Sequence, residues 1–428
     1  MRTENYSPLN PIKSILSGPP GTEAAVCLTL PPEISLFEPN SADANVMLAR
    51  RDHDRMRETF EEHSIQSFNM REIIGTELAH RHDQALTSRD AFLKELICRA
   101  YELQKQYQLV PDFDQLVAEI AQLFDHDVRS MGLDPAIAIN GVLTNILNHQ
   151  GQLKKFNPNL SPAGNFLFWR DTNHIVGNQM GTHRMFYPIR DQEVALAQIG
   201  LDALGIRYTP INLNPSIRRK TANGYPVEYN SQSIEGGDVL PMELNGQLYA
   251  LIGTAERTSF EAVQAWFSMH EQLFSASGDG IIPMVVQGPT HDTQDQMHLD
   301  TFVQQIASGA IVHCGELTQQ REISVLMRKG GRIIKAKPED AGSGNFATWM
   351  EQNADHLYNM TRDEQLNYAP NVLVHGSQSG DTTVFVTRDG TPEVTQFIQD
   401  HAVDTVLLRM NELTKFYGGA HCATSEIR

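Results

Sequence analysis

Between residues 92 and 124 the apolar side chains return at the spacing of a helix face. Phe92, Leu93, Leu96, Ile97, Ala100 and Leu103 form one run, and Phe113, Leu116, Val117, Ile120, Leu123 and Phe124 form a second. Positions three and four apart share one side of an α-helix, so each run predicts an amphipathic helix. Thr87-Ser88-Arg89-Asp90 reads as a capping box ahead of the first run. Asp134-Pro135 offers an N-cap and a first-turn proline for a third helix over 137–147. The block from 73 to 155 is therefore expected to be an inserted helical domain. The flanking stretches, 1–72 and 156–428, alternate short apolar runs with helices. A helix is expected over 192–204, stopped at Gly205, with strands at 281–286, 372–375, 383–387 and 403–408. Val239-Leu240 and the run from Leu248 to Ile252, separated by Asn245-Gly246, read as a hairpin closed by a type I′ turn. The class is α/β.

Composition narrows the field. A chain of 428 residues, 40% hydrophobic and 20% charged, can bury a large core and suggests two or more structural units. Its net charge of −18 disfavours nucleic acid and anionic membranes as partners, since both recruit basic patches. No apolar run approaches the ~20 residues that span a bilayer. Four cysteines without a CxxC pair, and no signal-like N-terminus, point to a reducing cytoplasm.

Candidate chemistry gathers around the last cysteine. Cys27, Cys98 and Cys314 sit in apolar runs and read as small buried hydrophobes, whereas Cys422 follows Gly418-Gly419-Ala420-His421 in a turn-like setting. Upstream lie Phe168-Trp169-Arg170-Asp171, Ile234-Glu235-Gly236-Gly237-Asp238 and Met297-His298-Leu299-Asp300-Thr301. A thiolate nucleophile needs a proton carrier and a fixed electrophile. Carboxylates repel an anionic substrate but hold a planar guanidinium through paired, charge-assisted hydrogen bonds. The set points at guanidine chemistry. Two other motifs are set aside. Gly18-Pro19-Pro20-Gly21-Thr22 lacks the lysine of a phosphate-binding loop. His291-Asp292 with His298 and Asp300 lacks helical metal-ligand spacing, so no metal is expected.

These four segments, in this order, resemble those of arginine deiminase in the guanidine-modifying superfamily. Ile252-Gly253-Thr254-Ala255-Glu256-Arg257-Thr258 is similar to that family's Ile-Gly-x-x-Glu-Arg-Thr segment, and Asn165 and Arg190 fall at its substrate-binding positions. The similarity runs from about Asp43 to the C-terminus. The chain departs from the family's acidic Phe-Asp-Asp stretch, reading Phe37-Glu38-Pro39-Asn40-Ser41-Ala42-Asp43 ahead of Asp52-His53. The resemblance implies a five-bladed α/β propeller (the pentein fold) of ββαβ units around a central active site, although the sequence itself shows no repeat.

Chemistry and resemblance together assign roles. Cys422 attacks the guanidinium carbon, Asp171 and Asp300 grip its N–H groups, and His298 carries protons, partnered by Glu235. Arg190 and Arg257 match carboxylate-binding arginines, and Asn165 a contact near the substrate amino group. Asp238 is a further binding candidate, or a structural partner of its own turn. The expected activity is hydrolysis of L-arginine to L-citrulline and ammonia without a cofactor, by a homo-oligomer. Another guanidine-modifying enzyme, an amidinotransferase or a deiminase of a different guanidine, is the alternative within catalysis. A catalytically silent arginine-binding homologue is the alternative outside it.

Overall fold

The computed structural model describes residues 7–20, 24, 44–74, 76–77, 165–211, 213, 217–222, 225–274, 280–289, 296–338, 344–377, 380–388 and 390–428. The helices expected within 73–155 lie outside the described residues, apart from the segment's first few positions. So do Cys27, Cys98, the 37–43 stretch, His291 and Asp292.

One pattern occurs five times. Asn173–Val176 pairs antiparallel with Gln179–Thr182, which pairs parallel with Tyr208–Pro210. Val239–Leu244, Gln247–Thr254 and Ile282–Gln287 repeat it, as do Val303–Ala307, Ala310–Cys314 and His356–Met360. Leu373–Gly376, Thr382–Val386 and Asp404–Leu407 form the fourth sheet. The fifth joins the C-terminal Thr424–Ile427 to Ser14–Ser17 and Gln66–Asn69. A parallel third strand cannot follow a tight turn and needs a crossover, which a helix supplies. Asp191–Ala203, Phe260–His270, Phe346–Asn353, Pro392–His401 and Val46–Glu62 are those helices. Glu322–Lys329 and Arg332–Ala336 widen the second sheet to five strands, and Ile217–Ala222 pairs with Tyr225–Asn230 apart from the rest.

Local chemistry explains these elements. In Phe260–His270 the Ser259 side chain accepts from the Ala262 N–H, a cap that supplies a partner for an otherwise orphaned donor. Its buried residues Ala262, Val263, Trp266, Phe267 and His270 return at helical spacing and pack with Val239, Ile252 and Val285 of the sheet beneath. Truncating a fully buried Trp such as Trp266 to Ala typically costs about 3–5 kcal/mol. The hairpin expected around Asn245-Gly246 is present, with φ of 52° and 72° at its two turn residues, as a type I′ turn requires. The expected helix spans Asp191–Ala203, and the four expected strands appear with their ends shifted by a residue or so. Among the described residues no helix is long and apolar enough to cross a membrane.

Ahead of the first strand of each sheet the chain makes a tight turn, and the five turns touch in succession. A Cβ on Gly236 would sit 2.0 Å from the Asn173 carbonyl and 2.1 Å from that of Arg170, so only glycine lets the second turn close on the first. The Leu299 N–H of the third donates to Asp238 of the second (3.2 Å). Asn371 of the fourth donates from Nδ2 to the Asp300 carbonyl of the third (3.0 Å) and accepts at Oδ1 from the Cys422 N–H of the fifth (3.1 Å). The Arg170 N–H of the first then donates to the Cys422 carbonyl (3.1 Å). The turns form a closed ring of contacts, which faces one small region with residues from all five sheets.

Candidate active site

Asp171, Gly237, Thr301, Asn371 and Cys422 each stand two positions ahead of the first strand of their sheets. At that place Asp171, Asn371 and Cys422 carry their side chains into the ring. Three of the turns, Trp169–Thr172, Gly236–Asp238 and Leu299–Thr301, are single 3₁₀ turns, and Glu235 and His298 are the residues that immediately precede the second and third.

The ring brings together the residues expected from sequence. His298 Nε2 lies 2.8 Å from Glu235 Oε2, and its Nδ1 lies 3.7 Å from Asp171 Oδ1. Glu235 is completely buried. It accepts from the Phe186 N–H at 2.9 Å and stands 3.5 Å from Arg257 Nη1 and 4.0 Å from Arg190 Nη1. Asp171 pairs with Arg190 Nη1 at 2.9 Å, and Arg190 Nε reaches Glu193 Oε2 at the same distance. The other oxygen of Glu193 accepts the Asn165 N–H at 3.2 Å, which ties Asn165 to Arg190. The Arg257 guanidinium lies over the Tyr187 ring, 4.7 Å from its centroid. Asp300 Oδ2 binds His421 Nδ1 at 2.7 Å and takes the Cys422 thiol at 3.4 Å. A Cβ on Gly237 would stand 2.7 Å from His298 Nδ1 and 3.0 Å from Asp300 Oδ1, so that glycine separates the two side chains at closest approach.

Burial and charge set the protonation states. Burial alone would lower the pKa of His298, but its hydrogen bond to Glu235 and the Asp171 carboxylate lift it to about 9, so it is an imidazolium at neutral pH. Burial disfavours the Glu235 charge, and Arg257 and His298 more than offset it, holding that carboxyl far below its ordinary range. Burial raises Asp171 against the pull of Arg190. Burial also pushes Asp300 up, yet the bond from His421 brings it below its ordinary value. The Cys422 thiol is driven well up, first by burial and then by the Asp300 and Asp171 charges. So raised, the sulfur keeps its proton at neutral pH.

Three buried polar atoms of the cluster have no hydrogen-bond partner among the described residues: Arg190 Nη2, His298 Nδ1 and Asp300 Oδ1. Such groups are costly, and a ligand bound in the ring would supply the missing partners. Asp238 differs from its neighbours. Oδ2 takes the Thr258 hydroxyl at 2.6 Å and Oδ1 the Leu299 N–H, so this carboxylate braces the ring. Sequence reasoning missed Asn371, Glu193, Thr258 and the partnership of His421. Their partners are far off in sequence or, for Glu193, lie on an ordinary helix turn. The histidine immediately before Cys422 was the single available signal. Cys314, expected to be a buried hydrophobe, is fully enclosed in its strand, and burial raises its thiol too.

Two solved structures are similar over nearly their whole length. One is a Cys→Ser mutant of the N-terminal domain of ArgZ, a cyanobacterial arginine dihydrolase, bound to substrate. Its TM-score is 0.52 at 9% identity, covering 96% of this chain and 97% of that one. The other is a Cys→Ser mutant of DDAH from Pseudomonas aeruginosa complexed with citrulline, with a TM-score of 0.51 at 11% identity, covering 97% and 99%. The fold is therefore the mixed α/β fold of those proteins. The profile of the arginine deiminase family matches residues 41–428, and the chain belongs to that family. Among curated proteins it is similar to the arginine deiminase of Listeria monocytogenes serotype 4b (strain CLIP80459), 22% identical over 295 residues, 68% of this chain and 65% of that protein. The arginine deiminase of Listeria welshimeri serovar 6b is 26% identical over 181 residues, 42% of this chain and 40% of that one. The matched stretch spans just under two thirds of the first relative.

Proposed function

We propose that the protein is an arginine deiminase, which hydrolyses L-arginine to L-citrulline and ammonia through a covalent Cys422 intermediate. One observation carries the reading. A thiol, an imidazolium clasped by a carboxylate, and two further carboxylates converge in one buried ring, leaving an acceptor at Asp300 Oδ1 and donors at Arg190 Nη2 and His298 Nδ1 without partners among the described residues. That pattern complements a molecule with a cationic planar head and an anionic tail.

In this mechanism the guanidinium docks against Asp300 and Asp171, and the Arg190 donor and Arg257 take the substrate carboxylate. Asn165 stands near the amino group, and Asp238 holds the ring without touching substrate. The arriving cation offsets the two carboxylates that keep the Cys422 sulfur protonated, so ionisation follows binding and the thiol proton passes to solvent. The thiolate forms a C–S bond to the guanidinium carbon and gives a tetrahedral adduct. His298 donates its proton to the departing amino group, the C–N bond breaks, and ammonia leaves a thiouronium. Neutral His298 then takes a proton from water as it attacks the same carbon. The C–S bond breaks, releasing citrulline and restoring the thiol. The five sheets would close as a five-bladed propeller around this centre, with 73–155 as a separate helical insertion.

The test is direct. The purified protein is incubated with arginine, agmatine and methylated arginines, and citrulline, ornithine and ammonia are quantified. Equimolar citrulline and ammonia from arginine support the reading. Ornithine as the product, or preference for another guanidine, would refute the assigned reaction while keeping the site.

A further inference from the structure

We propose that Asn371 is the positioning residue for the Cys422 sulfur: its side-chain amide donates to Sγ and holds the thiolate after Asp300 turns to the substrate. This rests on Cys422 being the nucleophile. The orientation of the amide is fixed by its neighbours. The Cys422 backbone N–H can only donate, so it faces Oδ1 (3.1 Å), and the Asp300 carbonyl can only accept, so it faces Nδ2 (3.0 Å). A flipped amide would set donor against donor and acceptor against acceptor. Nδ2 is thus also the atom 3.0 Å from Sγ, and the sulfur is its acceptor.

The thiol hydrogen has its own destination, Asp300 Oδ2 at 3.4 Å. When a guanidinium engages Asp300 and the proton departs, the Asn371 bond is retained. It strengthens as the sulfur becomes an anion, because hydrogen bonds to charged groups are the strong ones. The Gly419 backbone N–H also favours the sulfur anion, while the charged side chains facing the sulfur oppose ionisation. Asp300 and Asp171 both do so, His421 is engaged with Asp300, and the phenol of Tyr368, on the same turn as Asn371, is uncharged at neutral pH. Arg388 and Tyr417 lie beyond, beside Tyr368.

The amide is well anchored. Asn371 is fully buried, its carbonyl takes the Thr387 hydroxyl at 2.5 Å, and that hydroxyl accepts the Ala420 N–H at 2.9 Å. It occupies on the fourth sheet the place that Asp171 and Cys422 occupy on the first and fifth.

A merely structural strut would tie the turns without affecting the sulfur, and the experiment separates the two. Asn371→Ala removes the donor. Asn371→Asp keeps the acceptor for the Cys422 N–H but presents oxygen to the sulfur. Iodoacetamide labelling of the C-terminal peptide is followed by mass spectrometry from about pH 7 to 11, a range reaching above the ordinary thiol value because Cys422 is raised. Thiolate labelling at a fixed pH near 8 should fall roughly tenfold or more in Asn371→Ala, further in Asn371→Asp, with both profiles moved to higher pH. On arginine, kcat should fall with KM little changed. A folded variant with the wild-type labelling profile overturns the proposal, and so does loss of cooperative unfolding in both variants, which would make Asn371 a strut. Labelling needs no turnover, so its outcome stands apart from the arginine assay. A fully active Cys422→Ala would sink the underlying reading instead.

Discussion

Glu235→Gln is the sharpest probe of the ring, because Glu235 is where its charges meet. The substitution keeps size but leaves one oxygen where Glu235 uses two, so either the Phe186 N–H or His298 Nε2 loses its acceptor, and it removes the negative charge facing His298, Arg257 and Arg190. Removing one partner of a buried ion pair typically costs about 3–5 kcal/mol, and this change, which also strands one buried donor, falls in that range. The pH dependence gives a second, independent measure. His298 titrates at about 9 in the folded protein against about 6.5 unfolded. A raised folded pKa contributes stability that is complete below the unfolded value and lost as pH rises through the folded one. A shift of about two and a half units corresponds to about 3 kcal/mol, lost between roughly pH 6.5 and 9. In Glu235→Gln the leading support for the imidazolium is gone while burial still opposes it, so most of that slope should vanish. Urea unfolding is followed by the fluorescence of Trp169, Trp266 and Trp349, all buried. Measurements at pH 7.0, 8.0 and 9.5 give both quantities, and the basic limb of kcat/KM should move down by about a unit or more. A variant within about 1 kcal/mol of wild type at pH 7.0, or one with an unchanged pH slope, would refute the assignment of Glu235 as the partner of His298.

Other outcomes follow from the same geometry. Cys422→Ala should abolish turnover with the unfolding midpoint little changed, and EDTA should leave wild-type activity intact; chelation-sensitive activity would contradict the thiolate route. Asp171→Asn should lower kcat/KM on arginine at least tens-fold, since losing one partner of a desolvated charge pair costs about 2–5 kcal/mol; near-normal efficiency would place Asp171 outside the substrate site. Arg257→Leu should narrow discrimination between arginine and agmatine by depressing arginine turnover while leaving the feeble agmatine rate alone, and an unchanged ratio measured on both substrates would remove Arg257 from carboxylate binding.

Much of this arrangement was legible in the chain, and the reasons are local. Asn245-Gly246 announces its hairpin because few residue pairs accept two positive φ angles in succession. Cys422, His298, Glu235, Asp171 and Asp300 stand out because carboxylates, imidazole and thiol near glycine turns are chemically conspicuous. The five-times repeated strand pattern was not legible. Each unit packs against a different neighbour, so the sequence records five separate packing problems, and one crossover helix buries Trp266 while another buries Met56 and Phe60. Asn371 escaped for a related reason: a Pro-Asn pair looks like any turn until the chain 51 residues later brings a sulfur to it.

The legible and the hidden residues divide along one physical line. The groups proposed to act on the guanidinium are charged or nucleophilic, and those types are scarce enough in turns to be noticed. Groups that hold them need only be polar and buried, which Asn371, Thr258 and Thr387 satisfy with ordinary side chains. Asp238 shows why residue type alone misleads. It shares its turn with Glu235, yet both its oxygens are occupied by Thr258 and Leu299, whereas Asp300 keeps one without a partner among the described residues. Asp238 is committed to its neighbours at both oxygens whereas Asp300 leaves one toward the ring, so hydrogen-bond satisfaction read oxygen by oxygen separates the brace from the proposed clamp.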